Sequence, residues 1–271
     1  MPHHSPVSIW HPVVLLALAL LACSANLARA QDRERLQRTA CAGYDVVPSG
    51  FRRPDEPTRL SIQKSGRLLV SITDWRIVSA DCDDITADGI QELVVRTFSG
   101  GAHCCETLRV YALADTPRLL LSYEANNAGG VEVRDINGDG RRELILGDDS
   151  LAYFDDLCYA CSPSHLPLIA CYTGTRFEDC TRQFPDLLRA RREAYLARVG
   201  PATEADAVAQ VKGAALGALA VSALLGEEEQ GLAAVKAAGA SDTVMAWVTK
   251  ALPQVREWAS TRGRKLKDGK G

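Results

Sequence analysis

Asp135-Ile136-Asn137-Gly138-Asp139-Gly140-Arg141-Arg142-Glu143-Leu144 is the stretch that decides how this chain is read, because it occurs twice. Fifty-one residues earlier stands Asp84-Ile85-Thr86-Ala87-Asp88-Gly89-Ile90-Gln91-Glu92-Leu93, identical at six of ten positions. Oxygen-bearing side chains recur at positions 1, 3, 5 and 9, and a glycine stands at 6, where the chain must turn sharply. An apolar β-type run follows in each copy, Leu144-Ile145-Leu146 and Leu93-Val94-Val95. Hard cations such as Ca²⁺ take oxygen ligands, roughly six to eight of them. In the second copy Asp135, Asn137, Asp139 and Glu143 offer side-chain oxygens and Arg141 a backbone carbonyl. Carboxylates that converge without a cation push each other's pKa upward, and a divalent ion removes that cost. The competing reading of the same residues is a solvated, Asx-rich turn.

The loop is not an EF-hand, which needs a bidentate Glu at position 12. Leu146 and Val95 occupy that position. An acid at position 9 that leads directly into a strand resembles the calcium loops of the FG-GAP/VCBS repeat family, the integrin-α-propeller-like repeats. The resemblance covers both loops and their following strands, about Asp81 to Phe154. It implies a β-propeller-related fold, Ca²⁺ at the loops and a binding or structural role. On that likeness the ligands are Asp135, Asn137, Asp139, Arg141 through its carbonyl, and Glu143. A weaker set is Asp84, Thr86, Asp88, Ile90 through its carbonyl, and Glu92. Two departures stand out. Thr86 replaces the usual Asx, and the Phe-Gly and Gly-Ala-Pro signatures are missing, although Phe98-Ser99-Gly100-Gly101-Ala102 falls where the latter would lie.

Outward from the loops, the chain from Cys41 to about Phe184 reads as β. Short runs such as Leu60 to Gln63, Leu68 to Ile72, Leu108 to Leu113, Leu119 to Tyr123 and Leu166 to Tyr172 alternate with Gly, Ser and Asn turns. About a dozen strands are expected. Propeller-type arrays repeat at roughly 40–50 residues with four strands per blade, so the β region holds about three units by length. A closed propeller takes about 4–8 blades, which leaves a partial or small propeller-like module, a compact two-sheet relative, or a sheet completed by another element. From Pro185 the pattern turns helical, and about four helices are expected: Asp186 to Val199, one through Val208 to Leu225 with Thr203 and Asp206 as a capping box, Glu227 to Ala238, and one after Ser241 that meets Pro253. The fold class expected is therefore mainly β with an α-helical C-terminal segment. Its parts are an export signal at 1–30, a β repeat domain at 31–184, a helical segment at 185–261 and a disordered basic tail at 262–271.

Val13 to Ala22 is an unbroken apolar run, and Ala28-Arg29-Ala30 has the small-x-small form of a cleavage site, so the chain reads as exported to the periplasm or outside the cell. Leu20-Leu21-Ala22-Cys23 offers a second route, a lipoprotein anchored through Cys23. Cleavage after Ala30 leaves 241 residues. A net charge of −3 and the lack of a basic, aromatic-interleaved patch argue against a nucleic-acid partner. Gly213 to Leu225 is too short an apolar run to span a bilayer, which takes about 20 residues.

Nine cysteines are present, and either processing route leaves eight: Cys41, Cys82, Cys104, Cys105, Cys158, Cys161, Cys171 and Cys180. An even number in an exported chain reads first as disulfides. Cys41 with Cys82, and two local bridges among Cys158, Cys161, Cys171 and Cys180, are the pairings expected. Ser99-Gly100-Gly101-Ala102-His103-Cys104-Cys105 can be a Cys/His nucleophile or soft-metal site, or a Gly-rich turn with two disulfide cysteines. Cys158-Tyr159-Ala160-Cys161 can be a redox pair, half of a zinc site, or a local bridge. No phosphate loop or HExxH helix appears. The expectation is a non-catalytic, calcium-binding, disulfide-stabilised β-repeat protein with an unknown protein or glycan partner in the envelope. The alternatives are an envelope thiol or carboxylate hydrolase, or an adhesion module.

Overall fold

The strand-forming runs fold into twelve strands, and each group of four makes one antiparallel sheet in chain order. The computed structural model describes residues 37–50, 56–101, 105–126, 128–163 and 165–266. The export segment, the anchor candidate Cys23, His103, Cys104 and residues 267–271 lie outside the described residues. Sheet A holds β1 (Thr39–Cys41), β2 (Tyr44–Ser49), β3 (Thr58–Lys64) and β4 (Arg67–Asp74). Sheet B holds β5 (Arg76–Asp83), β6 (Glu92–Phe98), β7 (Glu106–Leu113) and β8 (Pro117–Asn126). Sheet C holds β9 (Glu132–Arg134), β10 (Glu143–Asp148), β11 (Leu166–Tyr172) and β12 (Phe177–Asp179). The second strands begin at Tyr44, Glu92 and Glu143, so successive sheets are offset by 48 and 51 residues along the chain. Each sheet is an open meander.

Sheet B has no face to solvent. On β6 the consecutive residues Leu93, Val94 and Val95 are all buried, the run expected of a strand covered on both sides. Leu93 and Val95, with Tyr111 and Leu113 of β7, pack on Tyr44, Leu60, Ile62 and Ile72 of sheet A. Val94, Leu108 and Val110 point the other way and pack on Leu144, Leu146, Leu168 and Ala170 of sheet C. Period-two alternation thus sends successive side chains into two separate cores.

Four helices follow: α1 (Pro185–Leu196), α2 (Ala205–Leu225), α3 (Glu228–Ala237) and α4 (Asp242–Thr261). Helix α2 is their hub. It is buried from Gly213 to Leu224 without interruption, and 72% of its most apolar window lies inside the protein. Length and hydropathy alone would let this one helix cross a membrane, but those apolar residues pack against the chain itself. Small residues make the close approaches possible. A Cβ on Gly213 would fall 1.6 Å from the Cys161 carbonyl oxygen, and one on Gly217 would fall 2.5 Å from the Tyr195 ring. Glu204, not Thr203, is the residue that precedes the first turn, and no side chain caps it there. Helix α4 runs on through Pro253, where the sequence suggested a stop. The proline removes one bond to the Thr249 carbonyl, but Val248, Ala251, Val255 and Trp258 are buried on either side of it and hold the helix across the gap.

Arg262 was expected to open a solvated tail, and the structure corrects this: the residue is 4% exposed. Its guanidinium donates to the Pro167 carbonyl of β11, stands 3.5 Å from Asp179 Oδ2, and lies 4.9 Å from the centre of the Trp258 ring. Trp258 Nε1 in turn donates to Asp148 Oδ2 at 3.2 Å. Nearby, Arg182 donates to the carbonyls of Ala223, Leu224 and Ala259, which close α2 and α4. The helical segment is therefore fastened to sheet C by two arginines. Arg262→Ala leaves the buried Asp148 short of a cation, and urea unfolding is expected to show a loss of about 3 kcal/mol. Gly213→Ala forces α2 off the Cys161 turn, and the same measurement is expected to show a loss of about 3 kcal/mol.

Candidate metal centre

Each acidic loop joins the first two strands of its sheet. Asp84 to Gln91 links β5 to β6, and Asp135 to Arg142 links β9 to β10. Three hydrogen bonds are common to both. The position 1 carboxylate accepts from the glycine N–H at position 6, 3.0 Å for Asp84 with Gly89 and 3.0 Å for Asp135 with Gly140. The position 5 carboxylate accepts from the N–H at position 7, 2.8 Å for Asp88 with Ile90 and 2.8 Å for Asp139 with Arg141. The position 9 glutamate reaches back to the N–H at position 2, 3.1 Å for Glu92 with Ile85 and 2.8 Å for Glu143 with Ile136. Asn137 also accepts from the Asp139 N–H at 3.0 Å, a contact that Thr86 replaces with an O–H donated to Glu92 at 3.4 Å.

Positions 4 and 6 of both loops are left-handed. The second loop has glycine at both, Gly138 (φ 77°) and Gly140 (φ 89°). The first has Ala87 (φ 56°) and Gly89 (φ 86°). A β-carbon in that region costs about 1–2 kcal/mol, so Ala87 makes the first loop the less favourable of the two. Sheet A has only Ala42-Gly43 at the same place, a two-residue turn with both φ positive.

The three first connections also touch one another in sequence. The Ala42 N–H donates to Gln91 Oε1 at 3.4 Å, and the Arg142 N–H donates to the Ile85 carbonyl at 2.9 Å. The Arg142 guanidinium pairs with Asp83, the residue just before the first loop. Position 8 of each loop therefore holds the connection before it. The sequence reading passed over Asp83 and Arg142, although an arginine at position 8 beside an acid at the end of β5 was there to be noticed.

Among the described residues no three His, Cys, Asp or Glu side chains stand together as a preformed metal cluster. The carboxylates of the loops are turned instead to backbone N–H donors. Their chemistry still fits a hard cation. An ionised carboxylate has about four lone-pair sites, and Asp135 uses two on Gly138 and Gly140. Glu92 and Glu143 are 1% and 3% exposed, and their partners are backbone N–H groups and the Thr86 hydroxyl. Burial pushes the Glu92 carboxyl from 4.5 up to about 7, and the Asp88 carboxylate adds to the rise, against the lowering effect of the Thr86 and Ile85 N–H groups. A divalent ion held by Asp84, Asp88 and Glu92 would supply the positive charge that these partners lack.

The cysteines pair as expected in three cases: Cys41 with Cys82, Cys158 with Cys161, and Cys171 with Cys180, at Cα separations of 5.8, 5.1 and 5.8 Å. Cys105 is disulfide-bonded as well and carries no thiolate. Three bridges fit an oxidising compartment. Elsewhere a cavity of about 490 Å³ lined by Glu132, Ile145, His165 and Arg191 shares His165 and Arg191 with another of about 560 Å³ lined by Tyr159, Tyr195 and Arg198. Burial draws the His165 pKa down, with Arg191 adding to the effect. No carboxylate of the two loops lines either cavity. No protein-family model, curated protein or solved structure matches the chain.

The raised Glu92 pKa makes a pH prediction for the metal-free protein. Between about pH 4.5 and pH 7 the folded state holds a proton that the unfolded chain releases, so this group's contribution to stability falls as pH rises through that window. Urea unfolding in chelator is expected to show that decline, and Glu92→Gln is expected to flatten it.

Proposed function

We propose that this is an exported calcium-binding protein of the FG-GAP/VCBS repeat type, with a structural or interaction role rather than a catalytic one. The observation that carries the reading is the set of three hydrogen bonds shared by two loops that sit at the same place in successive four-stranded sheets. Two loops folded alike from ten-residue segments with acids at 1, 5 and 9 support a shared ligand better than two unrelated turns. The second loop, built on Asp135, Asn137, Asp139, Glu143 and the Arg141 carbonyl, is the stronger site. The first, built on Asp84, Thr86, Asp88, Glu92 and the Ile90 carbonyl, is weakened by Thr86 and by Ala87 in a left-handed turn. Calcium supplies positive charge at the loops; the chain's own part is to hold the carboxylates at the strand ends. Three consecutive four-stranded meanders support a propeller-related β module. The disulfides, together with the apolar N-terminal run, support export to the periplasm or beyond, whether the mature chain is free or anchored at Cys23. An unidentified envelope protein or glycan is the partner class that such a scaffold would serve.

Extracellular calcium modules bind at roughly 10⁻⁴–10⁻³ M. About 10 mM calcium should then stabilise the fold by about 1.4–2.7 kcal/mol per site, several degrees in melting temperature. Thermal melts with calcium and with chelator are expected to differ by that amount in wild type and by much less in Asp135→Ala. No calcium shift in the wild type would sink the proposal.

A further inference from the structure

The Cys158–Cys161 bridge differs from the others in three ways. It spans a sequence separation of 3, against 41 for Cys41–Cys82 and 9 for Cys171–Cys180. Closing so short a loop removes little entropy from the unfolded chain, so the bond adds little to stability by that route. Cys158 is exposed, whereas Cys161 is 6% exposed and each of the other described cysteines is buried or half-buried. The turn beneath the bond also holds without it. The Cys161 N–H donates to the Cys158 carbonyl at 3.1 Å, the Ser162 N–H donates to the same carbonyl at 3.0 Å, and the Ser162 hydroxyl donates to it at 2.8 Å. The Tyr153 N–H then donates to the Ser162 hydroxyl oxygen at 2.9 Å, and α2 seats Gly213 directly against the Cys161 carbonyl.

We infer that Cys158–Cys161 is a thiol–disulfide exchange site, opened at Cys158 by an external thiolate and re-formed, by exchange with an external disulfide that is reduced in turn, between two cysteines that the surrounding turn keeps adjacent. The motivating juxtaposition is an exposed cysteine bonded to a buried one in a turn whose backbone bonds do not depend on the bridge. An incoming thiolate attacks Cys158 Sγ, which belongs to the exposed residue of the pair. The Sγ–Sγ bond breaks, and its electron pair leaves on Cys161 Sγ, which lies 3.8 Å from the Gln210 amide donor. Arg198 is bonded to Gln210 Oε1 at 3.4 Å and polarises that amide toward the leaving sulfur. A second thiolate attacks the incoming sulfur of the mixed disulfide and releases Cys158 as thiolate. Two external thiols are thereby oxidised to one disulfide, and the protein's disulfide is reduced to two thiols, which take up the two protons. Cys158 Sγ accepts from the Cys161 N–H at 3.2 Å, a donor placed to favour its thiolate form. Exposed disulfides are the ones that exchange readily. The inference is independent of the calcium loops, since none of their residues takes part.

The test uses the full mature chain in glutathione buffers of graded redox ratio, with alkylation of free thiols and peptide mapping by mass. Cys158 and Cys161 are expected to become alkylated at buffer ratios at least tenfold less reducing than those needed for Cys41–Cys82 or Cys171–Cys180, with the far-ultraviolet circular dichroism unchanged. Cys161→Ser is expected to accumulate a mixed disulfide at Cys158, and Cys158→Ser to form at least tenfold less adduct at Cys161. Oxidised glutathione and the disulfide form of a cysteinyl peptide serve as separate probes, each transferring one half to the Cys158 thiolate and releasing the other half as thiol, and the faster adduct in Cys161→Ser shows which class of thiol the site takes. The paired variant Cys158→Ala/Cys161→Ala is expected to keep its melting temperature within about 3 °C of wild type. Reduction of all three bridges together, only as the protein unfolds, would overturn the proposal, as would equal adduct at Cys161 in Cys158→Ser.

Discussion

A sheet without a wet face sets the terms for everything around it. Sheet B can bury Leu93 and Val95 only if sheet A covers one side, and Val94, Leu108 and Val110 only if sheet C covers the other. Burial of side chains this size contributes about 1.5–3 kcal/mol each, so neither neighbour can be dispensed with. The stacking also brings the three first connections into a row at one end, where Gln91 meets Ala42 and Arg142 meets Ile85. Loop order thus follows from sheet order.

Much of this was legible because the residues that form the loops also mark the strand boundaries. Asp84 and Asp135 directly follow first strands, and Glu92 and Glu143 begin second strands, so the motif spacing of 51 residues was also the spacing between the second strands of sheets B and C. Twelve strands, four helices and the pairing of Cys41 with Cys82 were within reach of patterning and cysteine counting. The place of sheet A in that spacing was not, because Ala42-Gly43 makes in two residues the connection that sheets B and C make in eight. The burial of Arg262 was equally hidden. An arginine among glycines and lysines reads as solvated, and only the position of Asp148 and Asp179, far off in sequence, makes its burial tolerable. Pro253 misled for the opposite reason: a local stop signal was overridden by four buried neighbours. At the metal centre, residue types were readable, but the contact of position 8 with the preceding loop required the fold.

The join between sheet and helices is chemically unlike the joins between sheets. Sheets meet chiefly through apolar side chains, with a few hydrogen bonds such as that from Tyr123 to the Gly147 carbonyl. The helices meet sheet C through Arg262, Trp258, Asp148 and Arg182, whose bonds have direction and fixed partners. Burial draws the Arg262 pKa down while Asp148 and Asp179 hold it up, and its Nε and Nη1 are buried without a hydrogen-bond partner. A site of that kind tolerates one arrangement of the helices and disfavours neighbouring ones.

The placement of the bridges has a mechanical side. Cys41–Cys82 ties β1 to β5 and so welds sheet A to sheet B, while Cys171 and Cys180 lie within sheet C and at its edge. Neither bridge crosses from sheet B to sheet C, where contact rests on apolar packing, on Arg142 with Asp83 and Ile85, and on hydrogen bonds from Tyr123 to the Gly147 carbonyl and from Arg118 to the Thr175 carbonyl. Under a pulling force the molecule therefore has a built-in parting plane. The welded pair A and B would come away as one body and sheet C with its helices as another, and the acidic loops lie on either side of the seam.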